Sequence, residues 1–250
     1  MYGFRRTAYR QFAHKVGTAL FVLLMFLWGG SASADHGPET YAKAHISVVV
    51  VEPTWPGYNR PGFGAPPGSA PAGSGVYFGV GPSSHYLITA AHVVTRANRV
   101  EIVRNDGTRL DVEIVAIDRA RDIAVLRSPD PSRPIVLAND TPPVGLHACA
   151  IGNSFGLGLS FSCGVVSAIN RHNVGFNAIE DFVQTDAAIN PGASGGALVD
   201  PQGRLIGLID GIFTKEADID AGVNFAISVP MLRQSLQVLR TKEPSIPNLD

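Results

Sequence analysis

From residue 76 onward, short apolar runs alternate with turns. VYFGV, YLITAAHVV, RVEIV, DVEIVAID, IAVLRS and IVLA come first, then HACAIGN, FSCGVVSAI, DFVQTD, GALVD, RLIGLID and VNFAISV. Each run is strand-sized and bounded by polar or glycine residues, which fits an all-β barrel or sandwich better than alternating strands and helices. NDGT (105–108) and DPQG (200–203) are hairpin-turn signals. YAKAHISVVVVE (41–52) ends in a β-branched run and reads as a first strand. Only SVPMLRQSLQVLR (228–240) has a helical period: Leu232, Leu236 and Leu239 share a face, Ser228 can cap, and Pro230 suits the first turn.

Proline and glycine divide the pattern. PTWPGYNRPGFGAPPGSAPAGSG (53–75) has few aliphatic residues and reads as a long loop. SPDPSRP (128–134) and NDTPPVG (139–145) mark a boundary between two β halves. The expected organisation is a leader over 1–34, an N-terminal segment and first strand over 35–52, and the loop over 53–75. The rest of the first half comes next over 76–140, then the second half over 141–228, and a helix and tail over 229–250.

Composition adds that the chain can bury a core: 45% of its 250 residues are hydrophobic and 16% charged, which excludes global disorder. The leader carries Arg5, Arg6, Arg10 and Lys15 without an acid, then VGTALFVLLMFLW, then SASA before Asp35. This is an export-signal pattern with cleavage expected after Ala34 and a periplasmic or secreted product. The residues after Arg5-Arg6 match a twin-arginine signal poorly. The apolar run is short against the ~20 residues of a membrane span, so no stable membrane association is expected after cleavage. Removing the leader leaves 16 basic against 21 acidic residues. With no basic run, nucleic-acid binding has no electrostatic footprint. Cys149 and Cys163 fall in two apolar segments that look like arms of one hairpin; they form a bridge if their Cβ atoms face each other, and otherwise two buried thiols. No Cys-x-x-Cys or His-rich cluster suggests a metal, and no cofactor is expected.

The chemistry concentrates in NPGASGGA (190–197), where Gly192, Gly195 and Gly196 surround Ser194. Glycine is used where a backbone turns sharply or approaches a ligand closely, so the spacing suggests a serine held out to react. The run also satisfies G-x-S-x-G, but that nucleophile elbow places its histidine after the serine, and no histidine comes after Ser194 here. A nucleophilic serine needs a base, and the base an orienting group. His92, in LITAAHVV, comes after an apolar strand and small residues; Asp122, in RDIAVLR, directly precedes another strand. The order His92, Asp122, Ser194 is that of chymotrypsin rather than subtilisin.

Taken in order, TAAHVV, RDIAVL and QTDAAINPGASGGALVD resemble the HtrA/Deg family of trypsin-like serine proteases. GSG (73–75), AIGNSFGLG (150–158), GVVSAINR (164–171), LIGLID and VNFAISV extend the likeness over about 200 residues. The resemblance implies two six-stranded antiparallel β-barrels of chymotrypsin type with a short C-terminal helix. His92 and Asp122 would come from the first and Ser194 from the second. It implies a periplasmic endopeptidase acting on unfolded or damaged protein through an acyl-enzyme, with an oxyanion hole of the Gly192 and Ser194 N–H groups. Relatives assemble as trimers through N-terminal aromatics, which makes a homotrimer an expectation resting here on Tyr41. They often carry PDZ domains after the protease, whereas only about ten residues lie beyond the expected helix here.

The chain departs from the family pattern at Ala193, usually Asn or Asp, and at Asp210, usually Asn. Asp210 is expected either to tune substrate choice or to be a solvated turn residue. A pocket wall is expected from Ala188, Ile189, Leu208, Ile209, Asp210 and Val223, favouring small or medium aliphatic P1 residues. Two other classes stay open: a binding or chaperone-like module on the same fold, and an esterase using the same triad.

Overall fold

A computed structural model describes residues 37–56, 72–82, 84–212 and 222–248. The leader and residues 57–71 of the proline- and glycine-rich segment lie outside the described residues. Twelve strands form two closed antiparallel barrels. The first contains β1 (Val48–Thr54), β2 (Gly73–Tyr77), β3 (Ser84–Ala90), β4 (Arg99–Val103), β5 (Arg109–Asp118) and β6 (Ile123–Ser132), closed in the order β1-β2-β3-β6-β5-β4. The second contains β7 (His147–Gly152), β8 (Ser160–Arg171), β9 (Phe182–Thr185), β10 (Ala197–Val199), β11 (Leu205–Ile212) and β12 (Asn224–Ser228), in the order β10-β11-β12-β9-β8-β7. The chain passes from one barrel to the other between 132 and 147.

The continuous VVVV run of β1 is explained by burial on both faces. Val49 and Val51 point into the first barrel with Tyr77, Leu87, Ile102 and Leu126. Val48 instead joins a core between the barrels with Ile88, Val125, Cys149, Ile151 and Leu205. The same alternation runs through β7, where Ala148 and Ala150 fill the second barrel while Cys149 and Ile151 face the seam. Such an interface core is a packed apolar layer, which fixes the barrels against each other.

Both hairpin signals fall between paired strands. NDGT joins β4 to β5, with the Arg104 N–H donating to Thr108 O (3.0 Å) and Gly107 N–H to Arg104 O (2.9 Å). DPQG joins β10 to β11, with the Asp200 N–H donating to Arg204 O (2.9 Å). The C-terminal helix spans Val229–Arg240, capped by the Ser228 hydroxyl, which accepts from the Met231 N–H (3.2 Å). Its Leu232, Leu236 and Leu239 pack on the inter-barrel core.

Three boundaries differ from the sequence reading. Residues 41–47 are not strand: a helix, α1 (Gly37–Ala44), and a 3-10 turn precede β1. Tyr41 packs there edge-on against Phe161 and stacks on His45. Proline at 53 does not end β1, because β1 pairs on through Thr54↔Arg99, and the glycine-rich 73–75 belongs to β2 rather than to the loop. β2 is buried at every position, and a side chain at Gly73 would strike Val93. Small residues there serve packing, and composition alone misreads them as loop.

Cys149 and Cys163 are directly opposed on β7 and β8 and form a disulfide, with Cα atoms 4.1 Å apart. The hairpin supplies the facing Cβ atoms that the sequence left open.

Candidate active site

His92 sits in a single helical turn, α2 (Ala91–Val94), directly after β3. Asp122 holds that turn at three points. Its carbonyl accepts the Ala91 N–H (2.9 Å), one carboxylate oxygen accepts the His92 N–H (2.8 Å), and the other meets the His92 Nδ1 (2.5 Å). Asp122 adopts a φ of 55°, a left-handed conformation that aspartate tolerates better than most residues. The preceding turn is organised by Asp118, which accepts from the Ala120 and Arg121 N–H groups, the Arg121 guanidinium and Ser235 of the C-terminal helix. The imidazole is half exposed, while the Asp122 carboxylate is largely buried.

Burial alone would raise the Asp122 carboxyl. The hydrogen bond and charge of His92 outweigh it and hold Asp122 below the usual carboxylate range.

Ser194 lies in the turn between β9 and β10. The turn is clamped by the first barrel: the Ser74 N–H donates to Ser194 O (2.8 Å), and the Ser74 hydroxyl donates to Gly192 O (2.9 Å) while accepting the Asn153 N–H (2.9 Å). Gly192 has a φ of +98°, and a side chain there would collide with the Asn153 carbonyl. A side chain at Gly195 (φ +82°) would collide with the Ser74 carbonyl. These contacts answer why glycines surround the serine. Among the described residues, the N–H groups of Gly192 and Ser194 have no acceptor, while that of Ala193, between them, donates to Asn190 O (3.0 Å). Two free donors two residues apart are suited to one developing negative charge.

The Ser194 hydroxyl donates to the main-chain carbonyl of Asp210 (3.0 Å) rather than to His92. Asp210 occupies a β-bulge: Ile209 pairs with Ala226 and Gly211 with Phe225, leaving Asp210 as the extra residue. Bulges re-aim a side chain, and this one turns the Asp210 carboxyl inward, where it faces Asp122. The two carboxyl groups and a His92 ring nitrogen lie within 4.8 Å of one another. Asp210 is 4% exposed, so the solvated-turn alternative does not hold.

His92, Asp122 and Ser194 all line one cavity of about 620 Å³. Of the expected pocket wall, only Ile189 and Asp210 line it. Leu208 and Ile209 are core residues on opposite faces of β11, Val223 packs on the inter-barrel core, and Ala188 is exposed on the surface. The period-2 alternation of β11 sends those side chains into the two cores, so the strand offers the cavity backbone rather than apolar surface. The missing wall comes from the loop 172–181 and from Arg119, which sequence reasoning passed over. Phe176 covers Gly211 and packs edge-on against Phe182 and Phe225. The Asn177 amide donates to the Asp210 carboxyl (2.9 Å).

Glu180 shapes that loop by accepting the N–H groups of Val174, Gly175, Phe176 and Asn177. Burial pushes its carboxyl up, but the four N–H donors prevail and hold it below its usual range. The Ile179 N–H ties the loop to Ala120 of the first barrel (2.9 Å). A single loop signal is readable in the sequence, the glycine-flanked aromatic in NVGFN, but nothing local aims it at Gly211.

A double β-barrel with a histidine–aspartate pair and a glycine-framed serine on one cavity defines a trypsin-like peptidase. A family model for the trypsin-like peptidase domain matches residues 73–208, and the chain belongs to that family. Within it, the likeness is to the HtrA-type serine proteases. The periplasmic pH-dependent serine endoprotease DegQ of Escherichia coli (strain K12) is 39% identical over 170 residues, 67% of this chain and 37% of DegQ. The periplasmic serine endoprotease DegP of Salmonella typhimurium is 39% identical over 164 residues, 64% of this chain and 34% of DegP. The chain thus matches about a third of the length of these relatives. Among solved structures, the HtrA-type protease AlgW with tripeptide superposes with a TM-score of 0.72 at 33% identity, covering 83% of this chain and 64% of that one. Among the described residues no helix is long and apolar enough to cross a membrane.

Proposed function

We propose that this protein is an exported serine endopeptidase that cleaves unfolded or damaged proteins, using His92 as base, Asp122 as its orienter and Ser194 as nucleophile. The observation that carries the reading is the pair of unpaired N–H groups at Gly192 and Ser194, in the turn that brings Ser194 onto the same cavity as the Asp122-anchored His92. The periplasmic endoprotease names of the relatives support the compartment and the peptide substrate.

Catalysis begins when the Ser194 hydroxyl leaves the Asp210 carbonyl and turns to His92. His92 takes its proton as Ser194 attacks the peptide carbonyl, and the new oxyanion meets the Gly192 and Ser194 N–H groups. Asp122 fixes the imidazole and stabilises the imidazolium. The protonated imidazole then protonates the leaving amine, and water, deprotonated by His92, hydrolyses the acyl-enzyme. Ile189 and Phe176 give the cavity apolar walls, which favours aliphatic P1 residues of modest size. The substrate backbone would pair with the outer strand segment at Asp210 and Gly211.

The test compares the purified protein with Ser194→Ala on casein, reading fragments by mass spectrometry, alongside labelling by a fluorophosphonate probe. Cleavage and labelling confined to the wild type are expected. Absence of both would return the protein to the binding-module reading.

A further inference from the structure

Among the described residues, Asp210 is the one buried acid on the cavity that the triad chemistry leaves without a role. Its main chain already touches the nucleophile, through the carbonyl that accepts the Ser194 hydroxyl. Its side chain lies beside the other end of the triad, with the Asp210 and Asp122 carboxyls and a His92 ring nitrogen within 4.8 Å of one another. One carboxyl oxygen, Oδ2, accepts the Asn177 amide (2.9 Å), which leaves the other available to Asp122. Asp122 in turn has both oxygens engaged by His92, one by the backbone N–H and one by the ring. Two ionised carboxylates cannot share a buried site of this size without a cation between them. One must keep a proton.

We propose, building on the protease reading, that Asp210 is a positioning residue of the triad whose carboxylic acid O–H donates a hydrogen bond to Asp122, with Asn177 fixing the acid's other oxygen. The arrangement accounts for both oxygens of Asp210: Oδ2 is the carbonyl oxygen that accepts from Asn177, and Oδ1 carries the proton. Asp122 stays ionised and receives three donors, two from His92 and one from Asp210. Burial, then the hydrogen bond and negative charge of Asp122, raise the Asp210 carboxyl well above the usual carboxylate range; Asn177 opposes this and the Glu180 charge adds to it. Asp122 is displaced the opposite way. Such a divergent pair titrates as a unit.

The groups facing Asp210 are Asp122 from the start of β6, His92 from α2, and Asn177 and Glu180 from the loop 172–181, with exposed Arg119 on the same cavity. Losing the Asp210 proton would set two carboxylates against each other beneath His92, and would break the contact that holds Asp122 from below. The bulge and the loop 172–181 would be loosened together, since Asn177 joins them. The acid therefore makes the triad's geometry depend on pH from its alkaline side.

The experiment uses Asp210→Asn and Asp210→Ala in the full chain. An asparagine amide reproduces the donor to Asp122 and the acceptor for Asn177 but cannot lose a proton. Against a peptide ester, Asp210→Ala is expected to lower kcat about 10- to 100-fold with little change in KM, the size of one hydrogen bond to a charged group. Asp210→Asn should retain kcat and lose the alkaline limb of the wild-type profile. Independently of turnover, infrared difference spectra at neutral pH should show a carboxylic-acid C=O band in the wild type that Asp210→Asn removes. The proposal is overturned if that band is absent, if Asp210→Asn falls as far as Asp210→Ala, or if it keeps the wild-type profile. An inactive wild type with the band present would overturn the protease reading alone.

Discussion

Gly192 shows how narrowly a single residue can be constrained. Its φ of +98° is open to glycine and strained for any other residue, and its missing side chain leaves room for the Asn153 carbonyl. Gly192→Ala is expected to rotate the peptide that carries one proposed oxyanion donor and to lower kcat/KM on a peptide ester by about 10²–10³. Circular dichroism should show the barrels intact, because the strain falls in a turn. An alanine variant with unchanged kcat/KM would remove Gly192 from the oxyanion hole. Asp122 is the second constrained residue, with a positive φ and both carboxylate oxygens committed to His92. These positions could be picked out from sequence because the chemistry needs a glycine, an acid and a histidine in a given order. The bulge that turns Asp210 inward could not, since LIGLID looks like any buried strand until its partner β12 shows which residue is left over.

At the scale of elements, each residue of the proposed triad sits where a strand ends or begins: His92 after β3, Asp122 before β6, Ser194 before β10. Strand ends are rigidly placed by the barrel yet free of its ladder, which suits them to present side chains. The β7–β8 hairpin, whose Gly152 lies against Ala193 of the Ser194 turn, carries the disulfide, with its cysteines 14 residues apart. Chain-entropy reasoning puts the stabilisation by a loop of that size at about 3 kcal/mol. Replacing both cysteines by alanine should lower the urea stability by an amount of that order and leave fluorophosphonate labelling of Ser194 in place at low urea. Equal stability of the two forms would show that hairpin packing alone holds the segment. The loop 172–181 is the element least legible in advance. Its shape comes from one carboxylate, Glu180, gathering four N–H groups, and that convergence has no signature in hydrophobic patterning.

For the whole molecule, burying acids at the seam between barrels ties stability to pH in two directions. Asp122 is held below the usual carboxylate range, so its contribution is full at neutral pH and is lost as pH falls through its folded value. Glu180 acts in the same sense. Asp210 acts oppositely: with its folded value raised, its contribution is present in acid and declines as pH rises above the ordinary carboxylate range. Below the ordinary carboxylate range, where the Asp210 contribution is already full, the urea midpoint should therefore drop as pH is lowered, with Asp122→Asn flattening that limb. A midpoint that stays level there in the wild type would contradict the linkage.

The all-β class, the split into two halves, the capped C-terminal helix and the residues of the proposed triad were all legible in the linear chain. Each is written in local terms: alternation of period two, turn residues, a capping serine, a reactive side chain beside glycine or a strand end. Folding in three dimensions was needed to decide that GSG pairs as a strand, that Leu208 and Ile209 fill cores instead of a pocket, and that Phe176 and Asn177 close the cavity. It also decided that Asp210 lies buried against Asp122. Those outcomes depend on which residue stands opposite which across a ladder or a seam. That pairing is fixed only when both barrels close and the apolar layer between them is packed.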